Sequence, residues 1–472
     1  MEQRLLTAPL AQTRVSRRFS GVSSALWVVL ALMLWLQGCR KQPGDEAVNP
    51  QPTPTVTPVP MGKSASMLSS DVATKWAALH LKLAQTSPGA TPPVVSRAVG
   101  YAGLALYEAV VPGMTEYQSL VGQVQSLTAL PLVENAKEYN WGASANASQA
   151  QILRSLYANT SAANKSTIDS LEMALTADFG KESAKDITDR SAVFGKAIAT
   201  AIFEYSRTDG GHEGYTRNFP ANYTVPTGVG FWVPTSAQKI PMQPTWGQNR
   251  VFARSNASVN VVAPTPYSTN IRSDFFKNAN EVYQIGKTLT DEQKAIALFW
   301  ADDPGKTFTP PAHATSILTQ IIRDNAMKLN VAAEAYAKLG LATTDAFVCC
   351  WRIKYQYNLI RPVSYINLTI DPKWTSFLTT PPFPEYTSGH SSGSGTAAAA
   401  LANIFGETYN FTDRSHDNRG LKARSFKSFT EYANEAAMSR LYGGIHYRES
   451  NERGMSNGRN VAQNVLALRW KK

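Results

Sequence analysis

Two cations seven residues apart, Lys354 and Arg361, lie in the segment Trp351-Arg352-Ile353-Lys354-Tyr355-Gln356-Tyr357-Asn358-Leu359-Ile360-Arg361-Pro362. On a continuous helix that spacing is nearly two turns, so both would project from one face about 10 Å apart. Pro362 is expected to end that helix just beyond Arg361. Stacked like charges repel unless an anion sits between their heads, although the pair alone fits a solvated basic edge equally well. A second segment, Pro381-Pro382-Phe383-Pro384-Glu385-Tyr386-Thr387-Ser388-Gly389-His390, runs from prolines into an alanine-rich stretch. Ser388 and Gly389 are therefore expected at a helix N-terminus, where free N–H groups and the dipole favour negative charge. His390 stands one residue inside. The third segment is Ser439-Arg440-Leu441-Tyr442-Gly443-Gly444-Ile445-His446. On one continuous helix Arg440 and His446 would point about 120° apart. They converge only if the chain breaks between them, and Gly443-Gly444 is placed to break it. Three cations, two histidines and a helix N-terminus suit the binding of a compact oxyanion with acid–base chemistry beside it.

The elements that must position these residues read as helices. From about Ser70 the apolar residues recur at i, i+3, i+4 over Ala73–Thr86, Val94–Val111, Ala147–Tyr157 and Asp186–Arg207. Gly210-Gly211 marks the stop of the last. Residues 211–270 are rich in Pro, Gly, Asn and aromatics, and so long a loop is expected to pack over a site or an interface. Helical pattern returns near Ser273. Thr290 with Gln293 has capping-box spacing, and further helices are expected at 312–339, 344–360, 389–405, 428–442 and 451–469. The expected fold is all-α, a large helical protein with a C-terminal catalytic four-helix-bundle core. Its parts are a 70–210 helical region, a 211–270 connection and a 271–472 catalytic region.

Composition removes other classes. Of 472 residues, 43% are hydrophobic and 17% charged, which excludes a disordered chain. Three cysteines exclude a disulfide scaffold or a cysteine zinc cage. Adjacent Cys349 and Cys350 are too close for an ordinary disulfide and read as free thiols. The net charge of +11 is spread along the chain with no basic block, so no nucleic-acid partner is expected. Arg4, Arg14, Arg17 and Arg18 precede the twelve-residue apolar run Ala25–Leu36, which is too short to span a bilayer. The run ends in Leu36-Gln37-Gly38-Cys39, which resembles a bacterial lipoprotein cleavage box. Residues 1–38 thus read as a signal peptide, Cys39 as the lipidated residue, and 39–69 as a Pro-rich tether. The protein is expected in the bacterial cell envelope, lipid-anchored and facing the periplasm or the exterior.

Taken in order, Lys-x6-Arg-Pro, Ser-Gly-His and Ser-Arg-x5-His resemble the signature uniting vanadium-dependent haloperoxidases with type-2 phosphatidic acid phosphatases. The resemblance extends to PPFPEYTSGH, SFTEYANEAAMSRLYGGIHY and FWADDPGKTFTPPAH. It implies that Lys354, Arg361, Ser388, Gly389 and Arg440 hold the oxygens of vanadate, a site phosphate can also occupy. His446 would ligate the metal, and His390 would serve as acid–base for incoming hydrogen peroxide, which Lys354 polarises. Asp303 would pair with Arg440, with Asp302 as the alternative. Trp351 and Phe383 would border the halide. The implied activity is oxidation of halide by hydrogen peroxide to hypohalous acid, the organic acceptor and any homodimer being left open. The alternative is an acid phosphatase with His446 as nucleophile. Against it stands Ser450, where the common phosphatase form has an Asp. Ser450 is expected to cap a helix starting at Asn451 and cannot give His446 a charged partner. His80, His212, His313 and His416 show no spacing that suggests a second metal site and read as structural or exposed.

Overall fold

The computed structural model describes residues 62–472; the signal peptide, Cys39 and most of the tether lie outside the described residues. The N-terminal helices are α1 (Asp71–Thr86), α2 (Pro92–Val110), α3 (Trp141–Leu156), α4 (Ala162–Glu182) and α5 (Lys185–Ser206). After a long irregular stretch come α6 (Asp274–Lys287), α7 (Asp291–Phe299), α8 (Thr309–Asp324), α9 (Leu329–Tyr357), α10 (Pro362–Thr369) and α11 (Gly389–Phe405). A hairpin of β1 (Phe411–Asp413) and β2 (Arg424–Phe426), with Phe411 opposite Phe426, precedes α12 (Phe429–Tyr442) and α13 (Arg448–Leu466). The fold is all-α apart from that short ribbon.

Helix α9 is the shared spine. Its 29 residues give a rod of roughly 44 Å at 1.5 Å per residue. One side packs on α2 and thereby on α3, α5 and α8, with α1 seated on α8 and α3; the other packs on α11 and α13, with α12 completing the catalytic bundle. Close approach at the α2–α9 contact rests on missing side chains. A Cβ on Gly340 would lie 2.4 Å from the Val99 carbonyl oxygen, and one on Gly103 would lie 2.5 Å from the Tyr336 carbonyl oxygen. Gly340 therefore thins the helix for its neighbour and does not break it. For that reason the two helices expected at 312–339 and 344–360 divide elsewhere, at residues 325–328 between α8 and α9. Helix α4 escapes the periodicity because only Asn164, Ile168 and Leu175 are buried along its 21 residues. Among the described residues α2 alone is long and apolar enough to cross a membrane, and it is the buried core of this bundle.

The loop-rich 211–270 stretch is stitched to α9. The buried carboxylate of Asp345 accepts from the backbone N–H of Phe252 (2.6 Å) and Ala253 (2.9 Å) and from the Asn256 amide (2.8 Å). Farther along, the Met242 carbonyl accepts from the Trp351 indole (3.2 Å) and from the Tyr355 hydroxyl, and Met242 N–H donates to Pro382 O (2.8 Å). The stretch thus covers the C-terminal end of α9, where the chemistry-bearing segments meet.

Candidate active site

Lys354 and Arg361 do not share a helix. Helix α9 ends at Tyr357, Asn358 takes a left-handed conformation (φ +46°), and Arg361 sits on the turn before α10. Pro362 opens α10 where it was expected to close a helix, because a proline's missing N–H costs nothing at a first helical position. Both cations still reach one site. Lys354 Nζ donates to the carbonyls of Pro384 (2.9 Å) and Glu385 (3.0 Å). Arg361 donates from Nε to Phe383 O (2.9 Å) and from Nη1 to Ile445 O (2.7 Å). Both are wholly buried.

Ser388 caps α11, its hydroxyl accepting from Ser391 N–H, and Gly389 is the first helical residue. A Cβ on Gly389 would meet only a Trp351 ring carbon at 3.7 Å, so the backbone there faces open space. On the third segment α12 stops at Tyr442, and Gly444 (φ +74°) turns the chain in a conformation that disfavours side chains. Arg440 stays on the helix, its Nη2 donating to Ala297 O (3.2 Å), while His446 is carried round to face Arg361.

Glu385 holds the imidazole. Its carboxylate accepts from His446 Nδ1 (2.8 Å) and from Tyr447 N–H (3.0 Å) and is completely buried. With the proton on Nδ1, the Nε2 lone pair faces Arg361 Nη1 at 3.2 Å. Burial and the surrounding charges of Arg361 and Lys354 keep His446 well below the usual histidine range, hence neutral. Nε2 is therefore the atom available to a metal or an electrophile. Glu385 was quoted within PPFPEYTSGH without a role, yet it is the one carboxylate in that segment. Ser450 lies inside α13, which begins at Arg448, so it does not cap a helix at Asn451. Its substitution for Asp does not leave His446 without a charged partner, because Glu385 supplies one.

His390 lines the cavity and donates from Nε2 to Trp300 O (2.9 Å); a carbonyl can only accept, which leaves Nδ1 unprotonated. Burial and Arg440 hold it well below the usual histidine range, so the ring is neutral. The cavity, about 320 Å³, is also lined by Met242, Asp302, Trp351, Phe383, Gly389 and His446. The Trp351 and Phe383 rings lie 5.2 Å apart on one wall.

Asp303 does not pair with Arg440. Its side chain is about half exposed and pairs with Lys306 at 3.3 Å. The alternative, Asp302, is turned inward and is the stronger of the two charges acting on Arg440. Two imidazoles turn it inward: His313 at 2.7 Å and His416 at 3.2 Å. Those two histidines are buried and adjacent, a juxtaposition that sequence spacing gave no sign of. His80 is buried against Tyr157 at 3.0 Å, and Cys349 and Cys350 are free and buried.

The site carries an excess of buried positive charge. Burial lowers Lys354 to about 8 and Arg361 and Arg440 to about 10, while burial raises Glu385 to about 7. Arg361 Nη2 has no hydrogen-bond partner. Three cations, an orphaned guanidinium N–H, the α11 N-terminus and an open face at Gly389 fit a tetrahedral or trigonal oxyanion such as vanadate or phosphate. His446 Nε2 fits a metal centre within it.

Comparison with known proteins agrees with this geometry. The family model of the VCPO second helical-bundle domain matches residues 334–470. The crystal structure described as the first bacterial vanadium-dependent iodoperoxidase is 34% identical, with a TM-score of 0.75, covering 84% of this chain and 96% of that one. Two structures of bacterial vanadium-dependent chloroperoxidase share the fold at 16% identity. The apo form has a TM-score of 0.62 with 80% of this chain and 93% of that one covered; the holo form has 0.60 with 81% and 92%. No curated protein matched the chain.

Proposed function

The chain belongs to the vanadium-dependent haloperoxidases, and from that premise we propose that it uses hydrogen peroxide to oxidise halide to hypohalous acid, with iodide the preferred halide. The observation that carries the reading is that the buried cations Lys354, Arg361 and Arg440 surround His446, which lines the cavity together with His390 and has its Nε2 unprotonated beside Arg361. The iodide preference is supported by the likeness to the iodoperoxidase structure over most of both chains.

Vanadate, when bound, supplies a Lewis-acid centre that activates peroxide toward halide without changing its own oxidation state. Lys354, Arg361, Arg440, the Ser388 hydroxyl and Gly389 N–H would hold its oxygens, and His446 Nε2 would be the one covalent protein ligand. Glu385 fixes the tautomer and aim of that imidazole. His390 Nδ1 is the base that receives a proton from incoming peroxide, and the Trp300 carbonyl fixes its other nitrogen. Trp351, Phe383 and Met242 exclude water from the side on which halide would approach.

Ser450 does not argue against a phosphatase, since Glu385 gives His446 the charged partner a nucleophile needs; the peroxidase reading rests on family membership. The test uses protein stripped of oxyanion, with and without vanadate, given peroxide and iodide, bromide or chloride, beside a phosphate-ester assay. Vanadate-dependent iodide oxidation that phosphate inhibits is expected. No halide oxidation with vanadate, together with ester hydrolysis without it, would replace this reading by the phosphatase. We also place the protein in the bacterial cell envelope, anchored by lipid on Cys39, a reading supported by the LQGC box and the spacer behind it.

A further inference from the structure

Behind the His390 wall lies a second cluster, from which the oxyanion site draws only the charge of Asp302 on Arg440. His313, on α8, has Nδ1 2.7 Å from Asp302 Oδ2 and Nε2 2.7 Å from Asp413 Oδ2. His416, on the turn after β1, sets its Nε2 3.2 Å from Asp302 Oδ1. All four residues are at least 97% buried. The rings of Phe299, Trp300 and Phe308 enclose the histidines. Asp302 Oδ1 and His416 Nε2 each lack a hydrogen-bond partner although they face one another. One ligand atom from each of Asp302, His313 and His416 lies within 4.8 Å of the other two.

We propose that Asp302, His313 Nδ1 and His416 Nε2 form a binding site for a divalent transition-metal cation of the zinc class, with Asp413 orienting His313 from behind. Two imidazoles and a carboxylate are the donor set such cations take in sites that keep a position open. A carboxylate on the far nitrogen of a ligating histidine is the usual means of fixing its tautomer, and Asp413 stands there. Charge agrees as well. Between Asp302 and Asp413 the His313 ring carries a proton on each nitrogen, so a divalent cation would take the place of the Nδ1 proton and the two carboxylates would offset its charge. Metal bonds of about 2.0–2.2 Å place ligand atoms roughly 3.3 Å apart. The Asp302 oxygen therefore needs to swing off the His313 Nδ1 axis, and the spread of the three ligand atoms, within 4.8 Å, needs to close toward that separation by side-chain rotation. Asp302 also lines the catalytic cavity, which provides a way in.

The cation would join three separate pieces of chain: the turn after α7, helix α8 and the β1–β2 hairpin. The first of these carries the Trp300 carbonyl that holds His390, so the ion acts on catalysis only by positioning. The inference does not depend on which reaction the cavity performs. Chelator-treated full chain, free of vanadate, is titrated with Zn(II) by calorimetry and with Co(II) by its visible d–d absorption. One equivalent per chain is expected, with a Tm several degrees higher when loaded. His416→Ala should lose that equivalent while remaining folded by circular dichroism. His446→Ala should retain it, which separates this site from the oxyanion site. Wild-type protein that keeps less than about a tenth of an equivalent after gel filtration overturns the proposal. So does an equivalent that survives in His416→Ala, or one that disappears in His446→Ala.

Discussion

At the scale of the residue, the state of His446 follows from its two neighbours. Glu385 accepts a hydrogen bond from Nδ1–H and Arg361 faces Nε2, so the ring is neutral with the Nε2 lone pair on the side of the cations. Glu385→Gln keeps the shape but loses the charge-assisted bond. Vanadate affinity should fall about 10–100-fold, the usual effect of removing a carboxylate behind a ligating histidine. An unchanged Kd, read from a vanadate titration of the folded variant, would show that the imidazole needs no such partner. Lys354 makes a second prediction. Burial lowers its ammonium from the ordinary 10.5 to about 8 in the free site. Only the protonated form attracts an anion, so phosphate binding should be full below pH 8 and weaken as pH rises above it. Lys354→Met should bind more weakly throughout but without that decline, phosphate's own titration being common to both proteins. Parallel curves for the two would mean that Lys354 stays charged across the range.

Elements succeed or fail here by what they bring to the end of α9. The 211–270 stretch has no repeating backbone pattern of its own, so side-chain anchors must hold it. Asp345 is the most heavily used, with two backbone N–H groups and one amide donating to it inside the core. Asp345→Ala would orphan the Phe252 and Ala253 N–H groups, each at about 1–3 kcal/mol. A loss of roughly 2–5 kcal/mol is expected in urea unfolding, together with faster proteolysis within 211–270. Near-wild-type stability would show that the rest of the loop holds itself. The contrast with α11 and α13 is instructive. There the contact is made by glycine and small residues, with a Gly395 Cβ due 2.5 Å from Met455 O and a Gly458 Cβ 2.1 Å from Ser392 O. Bulk, not charge, governs that interface.

For the whole molecule, two tasks divide between the halves that share α9. The N-terminal helices bury one side of it, while the catalytic bundle packs alanines and aromatics of α11, α12 and α13 on the other and gathers its cations at the C-terminal end of α9. Such a centre would be unstable alone, since three buried cations outnumber the two carboxylates near them, Glu385 and Asp302, and the second is shared with two histidines. Bound oxyanion should accordingly raise Tm. The location of the molecule is a separate matter, carried by the N-terminal segment. Mass spectrometry of the mature N-terminus should find a lipid-modified Cys39 as the first residue. A peptide reading through Leu36-Gln37-Gly38-Cys39 without lipid would end that proposal.

Local chemistry was legible in the sequence because it depends on neighbours in the chain. The Ser388 cap, the Gly389 start of α11, the break at Gly443-Gly444 and the capping box at Thr290 all follow from short-range backbone preferences. The three ordered motifs, each a short local pattern, were legible for the same reason. Long-range pairing was not legible. Nothing in spacing distinguishes Asp302 from Asp303, and only the imidazoles of His313 and His416, the second of them more than a hundred residues away, decide which carboxylate turns inward. Glu385 was visible as a residue and invisible as a partner, since its place behind His446 needs the turn at Gly444 and the cap at Ser388 together. The break expected between 339 and 344 is absent because Gly340 lies inside α9 and admits the backbone of α2. Backbone propensity acts over a few residues and can be read from them; burial and charge pairing act through space, and only the folded chain fixes which atoms meet.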